Sequence, residues 1–163
     1  MSPRQRENEP APAAGTVRAA ALTLLSRRDY TAAELESKLL DKGYDRETAS
    51  AAVAALAANR SIDDRRVAAA HVRTAAVVKG RGRVRIAREL TARGLSRDII
   101  TEALGQVARE DEVAAIRKIL TRKRWPSNPS RLERQRMYRH LLGRGFPADL
   151  ISRALGRGDD DTE

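Results

Sequence analysis

Adjacent carboxylates at Asp63-Asp64, two histidines and the stretch Gly80-Arg81-Gly82 are the residues of this chain that could do chemistry. Each falls short of a catalytic site. A metal or an acid–base pair at Asp63-Asp64 needs a further ligand, none is near in sequence, and adjacent acids at a helix start serve as caps. His71 and His140 have no cysteine, HExxH pattern or acid arrangement around them. Gly80-Arg81-Gly82 lacks the third glycine and the preceding strand of a nucleotide loop. Nothing assembles a nucleophile, a base and an oxyanion donor, so the reading is a protein that is not an enzyme, with no metal and no cofactor.

The chemistry that remains is that of cations. Between Arg73 and Arg97, eight Lys or Arg residues face Glu89 alone, and from Arg117 to Arg144 ten face only Glu133. Net charge is +10 at neutral pH, and fields of this sign attract polyanions. Arg81, Arg85 and Arg88 stand at i, i+4 and i+7, which on a helix forms a basic stripe opposite Val84, Ala87, Leu90 and Thr91. Arg83 falls nearer the apolar side, so it either precedes the helix or snorkels. Arg122-Lys123-Arg124-Trp125 is a second cluster, its indole a packing anchor or a stacking surface for a base. The candidate binding set is therefore Arg73, Lys79, Arg81, Arg85, Arg88, Arg122, Lys123, Arg124 and Arg131, in contact with DNA phosphates or acidic protein patches. A solvated face on an arginine-rich chain is the competing reading. With only Tyr30, Tyr44, Tyr138 and Phe146 besides Trp125, a stacking platform for single strands is poorly supported.

A periodic scaffold positions these cations. Gly43, Gly94 and Gly145 are spaced 51 residues apart, preceded by Leu39, Leu90 and Leu141 and followed by Tyr44, Leu95 and Phe146. Such a period marks one supersecondary unit used three times, stacked rather than folded round a pocket. Alanine, leucine and arginine dominate, which suits helices. The expected architecture is all-α: three tandem three-helix repeats in an elongated, curved helical array. The repeats span 17–60, 61–108 and 109–156, between a disordered tail at 1–16 and an acidic tail at 157–163. Thr31 and Glu34 form a capping box, Asp45 and Ser96 cap the third helices, and Asp63 or Asp64 opens the middle repeat. Asn128-Pro129 reads as a cap followed by a first-turn proline. No stretch reaches the roughly 18 apolar residues of a membrane span, and no leader-like apolar region opens the chain. The absence of cysteine fits a reducing cytoplasm.

Four stretches carry a resemblance to the RecX family of RecA regulators. They are Leu24-Leu25-Ser26-Arg27-Arg28-Asp29-Tyr30-Thr31 with Glu34-Leu35 and Lys38-Leu39; Ile62-Asp63-Asp64-Arg65-Arg66-Val67-Ala68; Lys79-Gly80-Arg81-Gly82 through Ile86, Glu89-Leu90 and Gly94-Leu95; and Ala103-Leu104. Val67 departs from the pattern, which usually has an aromatic there, and the third repeat is the loosest match. The resemblance implies three three-helix units in a curved rod that binds the RecA–DNA filament within its groove. It also implies modulation of RecA, usually inhibition of strand exchange, ATP hydrolysis and co-protease activity. A monomer is expected, with no membrane partner. Charge alone supports the alternative of a general nucleic-acid-binding helical-repeat module.

Overall fold

Turn chemistry decides where each helix starts and stops. In the computed structural model, which describes residues 14–156, α1 is Ala14–Leu25, α2 Ala32–Asp41, α3 Arg46–Ala58 and α4 Asp64–Arg73. A π-helical turn, Thr74–Val78, extends α4; α5 is Arg83–Ala92, α6 Arg97–Leu104, α7 Arg109–Arg122, α8 Arg131–Gly143 and α9 Ala148–Leu155. The described residues hold nine α-helices and no strand, in three successive groups of three. Of the expected terminal tails, 1–13 and 157–163 lie outside the described residues, and 14–16 belong to α1.

The 51-residue period is a recurring helix stop. After α2, the Tyr44 N–H donates to the Leu39 carbonyl and the Gly43 N–H to that of Leu40. Leu95 with Leu90 and Gly94 with Thr91 repeat the pair after α5; Phe146 with Leu141 and Gly145 with Leu142 repeat it after α8. This is the Schellman motif, which needs a left-handed residue at its hinge and favours an apolar contact across it. Gly43, Gly94 and Gly145 have φ of 92°, 77° and 87°, and Leu39, Leu90, Leu141, Leu95 and Phe146 are all buried. Trp125 and Leu120 close α7 the same way, but Arg124 occupies the left-handed position at φ 50°.

Several helix starts are capped by the oxygens of short side chains. The Thr31 hydroxyl accepts from the Glu34 N–H while the Glu34 carboxylate accepts from the Thr31 N–H, and Asp45 accepts from Thr48. Asp63 and Asp64 divide the work: Asp63 accepts from the Arg66 N–H, and Asp64 accepts from the Ala32 N–H at the start of α2. The expected Asn128-Pro129 start is corrected. Ser130 is the N-cap, in a reciprocal box with Glu133, and Pro129 lies just before it. A hydroxyl with a carboxylate three residues on satisfies two orphan donors, which a proline at that place cannot do.

The chain divides into two compact units, Met1–Val67 and Ala68–Glu163. The first has a core of Val17, Ala21, Tyr30, Leu35, Leu39, Ala49, Val53, Leu56 and Ile62. The second holds two clusters, one around Ile86, Leu90 and Ile100 and one around Ile116, Leu141 and Ile151. A backbone joint links the second and third repeats inside it. At the end of α8, the Arg144 carbonyl accepts from the Gly82 N–H at 2.9 Å and the Gly145 carbonyl from the Val84 N–H at 3.1 Å. The Arg144 guanidinium donates to the Lys79 and Gly80 carbonyls, and Arg85 donates to the Gly143 carbonyl. Orphan acceptors of one helix end thus satisfy orphan donors of another helix start. The approach is close enough to exclude side chains: a Cβ on Gly82 would meet the Gly145 carbonyl, and one on Gly145 would lie 2.8 Å from the Arg85 Cα.

Two glycines with similar φ separate the backbone cost from the contact cost. Gly43 has nothing within 4 Å of a would-be Cβ, so Gly43→Ala should lose about 1 kcal/mol for the left-handed backbone alone. Gly145→Ala should lose roughly 2–4 kcal/mol, strain plus overpacking. Urea unfolding of both variants measures the difference; equal losses would contradict the close approach.

Candidate binding surface

The expected cations separate into paired and unpaired groups. Arg81 lies outside α5, in the loop, so it does not extend the helical stripe. Its guanidinium contacts both oxygens of Glu89 at 2.7 Å, Arg85 Nε reaches Glu89 at 3.0 Å, and His71 Nε2 lies 3.0 Å from the same carboxylate. A single acid thus gathers two arginines of the expected stripe. The expected opposite face also shifts: Ile86 and Leu90 are buried, whereas Val84 is 40% exposed and Thr91 is exposed too. Arg88 is exposed and, among the described residues, makes no ion pair.

Arg83 opens α5 and turns inward. Its Nε contacts Glu112 at 2.9 Å, its backbone N–H donates to the same carboxylate, and its terminal nitrogen donates to the Val107 carbonyl. Glu112 is a buried acid, and sequence reasoning missed it. A carboxylate in the charged first turn of α7 reads as a solvated helix start, and no local signal marks it as the partner of a residue in another repeat.

Arg73, Lys79, Arg122, Lys123, Arg124 and Arg131 are exposed and, among the described residues, make no ion pair. Trp125 is half-buried against the third core cluster, as an anchor would be. Arg73, Lys79, Arg122 and Lys123 border one groove of the second unit, together with Lys118, Arg81 and Arg144. Arg88, Arg124 and Arg131 lie outside its lining. His140 also borders the groove; burial, then the charges of Lys123 and Arg144, hold its imidazole below the ordinary value. Such an environment keeps the ring neutral and resists further positive charge.

Glu89 shows how firmly its cluster is held. Burial raises its pKa, but hydrogen bonds from Arg85, His71 and Arg81 outweigh that and leave it lowered. A depressed folded-state value contributes stability above the unfolded pKa of about 4.3, and that contribution disappears as pH falls through the folded value. Glu89→Gln should therefore be less stable than the parent chain at pH 7, with the gap closing as the pH drops below about 4. Paired urea titrations across pH check it, and a gap unchanged by acid would refute the assignment.

Comparison with known proteins gives this arrangement a family. Models of the first, second and third three-helix domains of RecX match residues 18–56, 63–104 and 110–155. The regulatory protein RecX of Halorhodospira halophila is 38% identical over 157 residues, covering 96% of both chains. That of Chromobacterium violaceum is 38% identical over 150 residues, covering 90% of this chain and 93% of its own. The crystal structure of RecX from Lactobacillus salivarius matches with a TM-score of 0.80 at 24% identity, over 87% of this chain and 94% of that one, which speaks to the fold. With each of its repeats matched in order and relatives aligned over nearly its whole length, the chain belongs to the RecX family of regulatory proteins.

Proposed function

We propose that this protein binds RecA–DNA filaments and modulates RecA, restraining strand exchange, ATP hydrolysis and co-protease activity. The observation that supports the reading is membership of the RecX family through all three repeats. RecA as the partner follows from the resemblance of the sequence to that family of RecA regulators. The means is electrostatic. Arg73, Lys79, Arg88, Arg122, Lys123, Arg124 and Arg131 offer charge that no acid of the described residues neutralises, available to DNA phosphates or to acidic protein patches of the filament. Arg81 and Arg85 belong to the same surface but must first exchange Glu89 for a phosphate. The protein acts as a monomeric cytoplasmic regulator in DNA repair and the SOS response, without catalysis and without a cofactor.

A general nucleic-acid-binding module is the second reading, favoured by the same unpaired cations. Binding to bare and to RecA-coated single-stranded DNA over a salt series separates the two. The filament reading expects preference for coated DNA and lower RecA ATP turnover at or below stoichiometric protein. Equal affinity for both DNAs with a steep salt slope supports the module. Combined Arg88→Glu and Arg122→Glu should weaken filament binding and flatten the salt dependence by about one phosphate per residue removed. An unchanged slope would take these cations out of the interface.

A further inference from the structure

The second unit contains a groove whose chemistry is more specific than a basic face. It has a volume of about 770 Å³ and is bordered by the π-helical turn, the loop at 79–81, α7 and the last turn of α8. Apolar lining comes from Ala76, Val107, Ala115, Ile119 and Phe146, and from Val77 and Val78, which are 78% and 77% exposed. Arg73, Lys79, Lys118, Arg122 and Lys123 supply positive charge around it. Both acids in the lining are engaged: Glu112 holds Arg83, and Asp111 accepts from the Ala108 N–H. His140 Nε2 is buried without a hydrogen-bond partner among the described residues.

We propose that this groove docks an acidic protein segment carrying apolar side chains, laid in as an amphipathic helix. The apolar side chains would cover the exposed valines, and the carboxylates would meet the surrounding cations. Nucleic acid suits the groove less well. Phe146, the one Phe, Tyr or Trp in the lining, is 1% exposed and offers no face for a base, and a phosphate backbone would leave Val77 and Val78 in water. The chain's own acidic stretch, Asp159-Asp160-Asp161, matches the charge, but residues 157–163 contain no apolar side chain larger than glycine. The inference goes beyond the filament reading and does not depend on it.

The probe is a fluorescein-labelled synthetic helix-forming peptide with leucine at i, i+3, i+4 and i+7 and glutamate elsewhere, titrated against the full chain by anisotropy. A matched peptide has serine for leucine. The leucine peptide should bind and the serine peptide should be weaker by about tenfold or more. Val77→Ser with Val78→Ser, and separately Lys118→Glu with Lys123→Glu, should each cost about tenfold; all four residues are exposed, and circular dichroism checks that the helices persist. Equal binding of the two peptides, or no loss in the valine variant, would overturn the proposal. So would displacement by oligothymidine as effective as displacement by unlabelled leucine peptide. A chain ending at Gly156 should bind like the full chain; much tighter binding would assign the groove to the acidic tail instead. No arm contains RecA, so this proposal and the filament reading fail separately.

Discussion

The end of α8 meeting the start of α5 is the constraint on which the second unit depends. Two helix termini, each with backbone groups its own helix cannot satisfy, complete one another through Gly82, Val84, Arg144 and Gly145. A water-exposed version of the same bonds would contribute little, because water competes for every donor and acceptor. Here Gly82 is buried and both glycines lack the atom that would hold the strands of chain apart. The joint fixes the loop at 79–82, and the loop fixes where Arg81 reaches Glu89 and where α5 presents Arg83 to Glu112. Loss of one hydrogen atom's worth of space at Gly145 would therefore disturb charge placement several residues away.

That dependence changes how the charge of the chain is read. Local counts of Lys and Arg treat every cation as available for a polyanion, yet several are structural. Arg83 is committed to a buried carboxylate, Arg144 to two loop carbonyls, Arg109 to Asp149, and Arg81 and Arg85 to Glu89. Exchanging such a partner for a phosphate returns only the difference between two similar ion pairs, whereas an unpaired surface cation keeps its full attraction at low salt. The charge left available to a polyanion accordingly resides in fewer residues than the composition suggests, and those residues flank the π-helical turn, sit on α5 and run from the end of α7 to the start of α8.

Much of the fold was legible because the signals that shape it are local. Leucine, glycine and a bulky residue at fixed offsets are the three chemical requirements of one helix stop, so their 51-residue recurrence reported real geometry at Gly43, Gly94 and Gly145. The boxes at Thr31 and the caps at Asp45 and Ser96 were legible for the same reason. Asn128-Pro129 misled because two adjacent local signals competed, and the reciprocal Ser130–Glu133 bonds prevailed. The site was less legible. The partners of Arg81, Arg83 and Arg144 lie 8, 29 and about 65 residues away, and no window of sequence reveals such pairings. Gly82 read as part of a Gly-Arg-Gly stretch short of a nucleotide loop; its role as a point of contact with Gly145 belongs to tertiary structure.

The π-helical turn is where local and long-range demands conflict. The Lys79 N–H reaches back five residues to the Thr74 carbonyl, one more than an α-turn spans, and across Gly80 the Arg81 N–H reaches back six, to that of Ala75. Ala75 stays in the core, while Val77 and Val78 are turned out into solvent. An isolated exposed valine needs no explanation, but two adjacent ones on a helical segment of weaker hydrogen bonding do, since their burial would favour folding. Polar residues at both positions would relieve the exposure without touching the joint. Two exposed valines beside Arg73, Lys79 and the groove are what a contact surface for an apolar and acidic partner requires, and folding of the chain alone gives no reason for them.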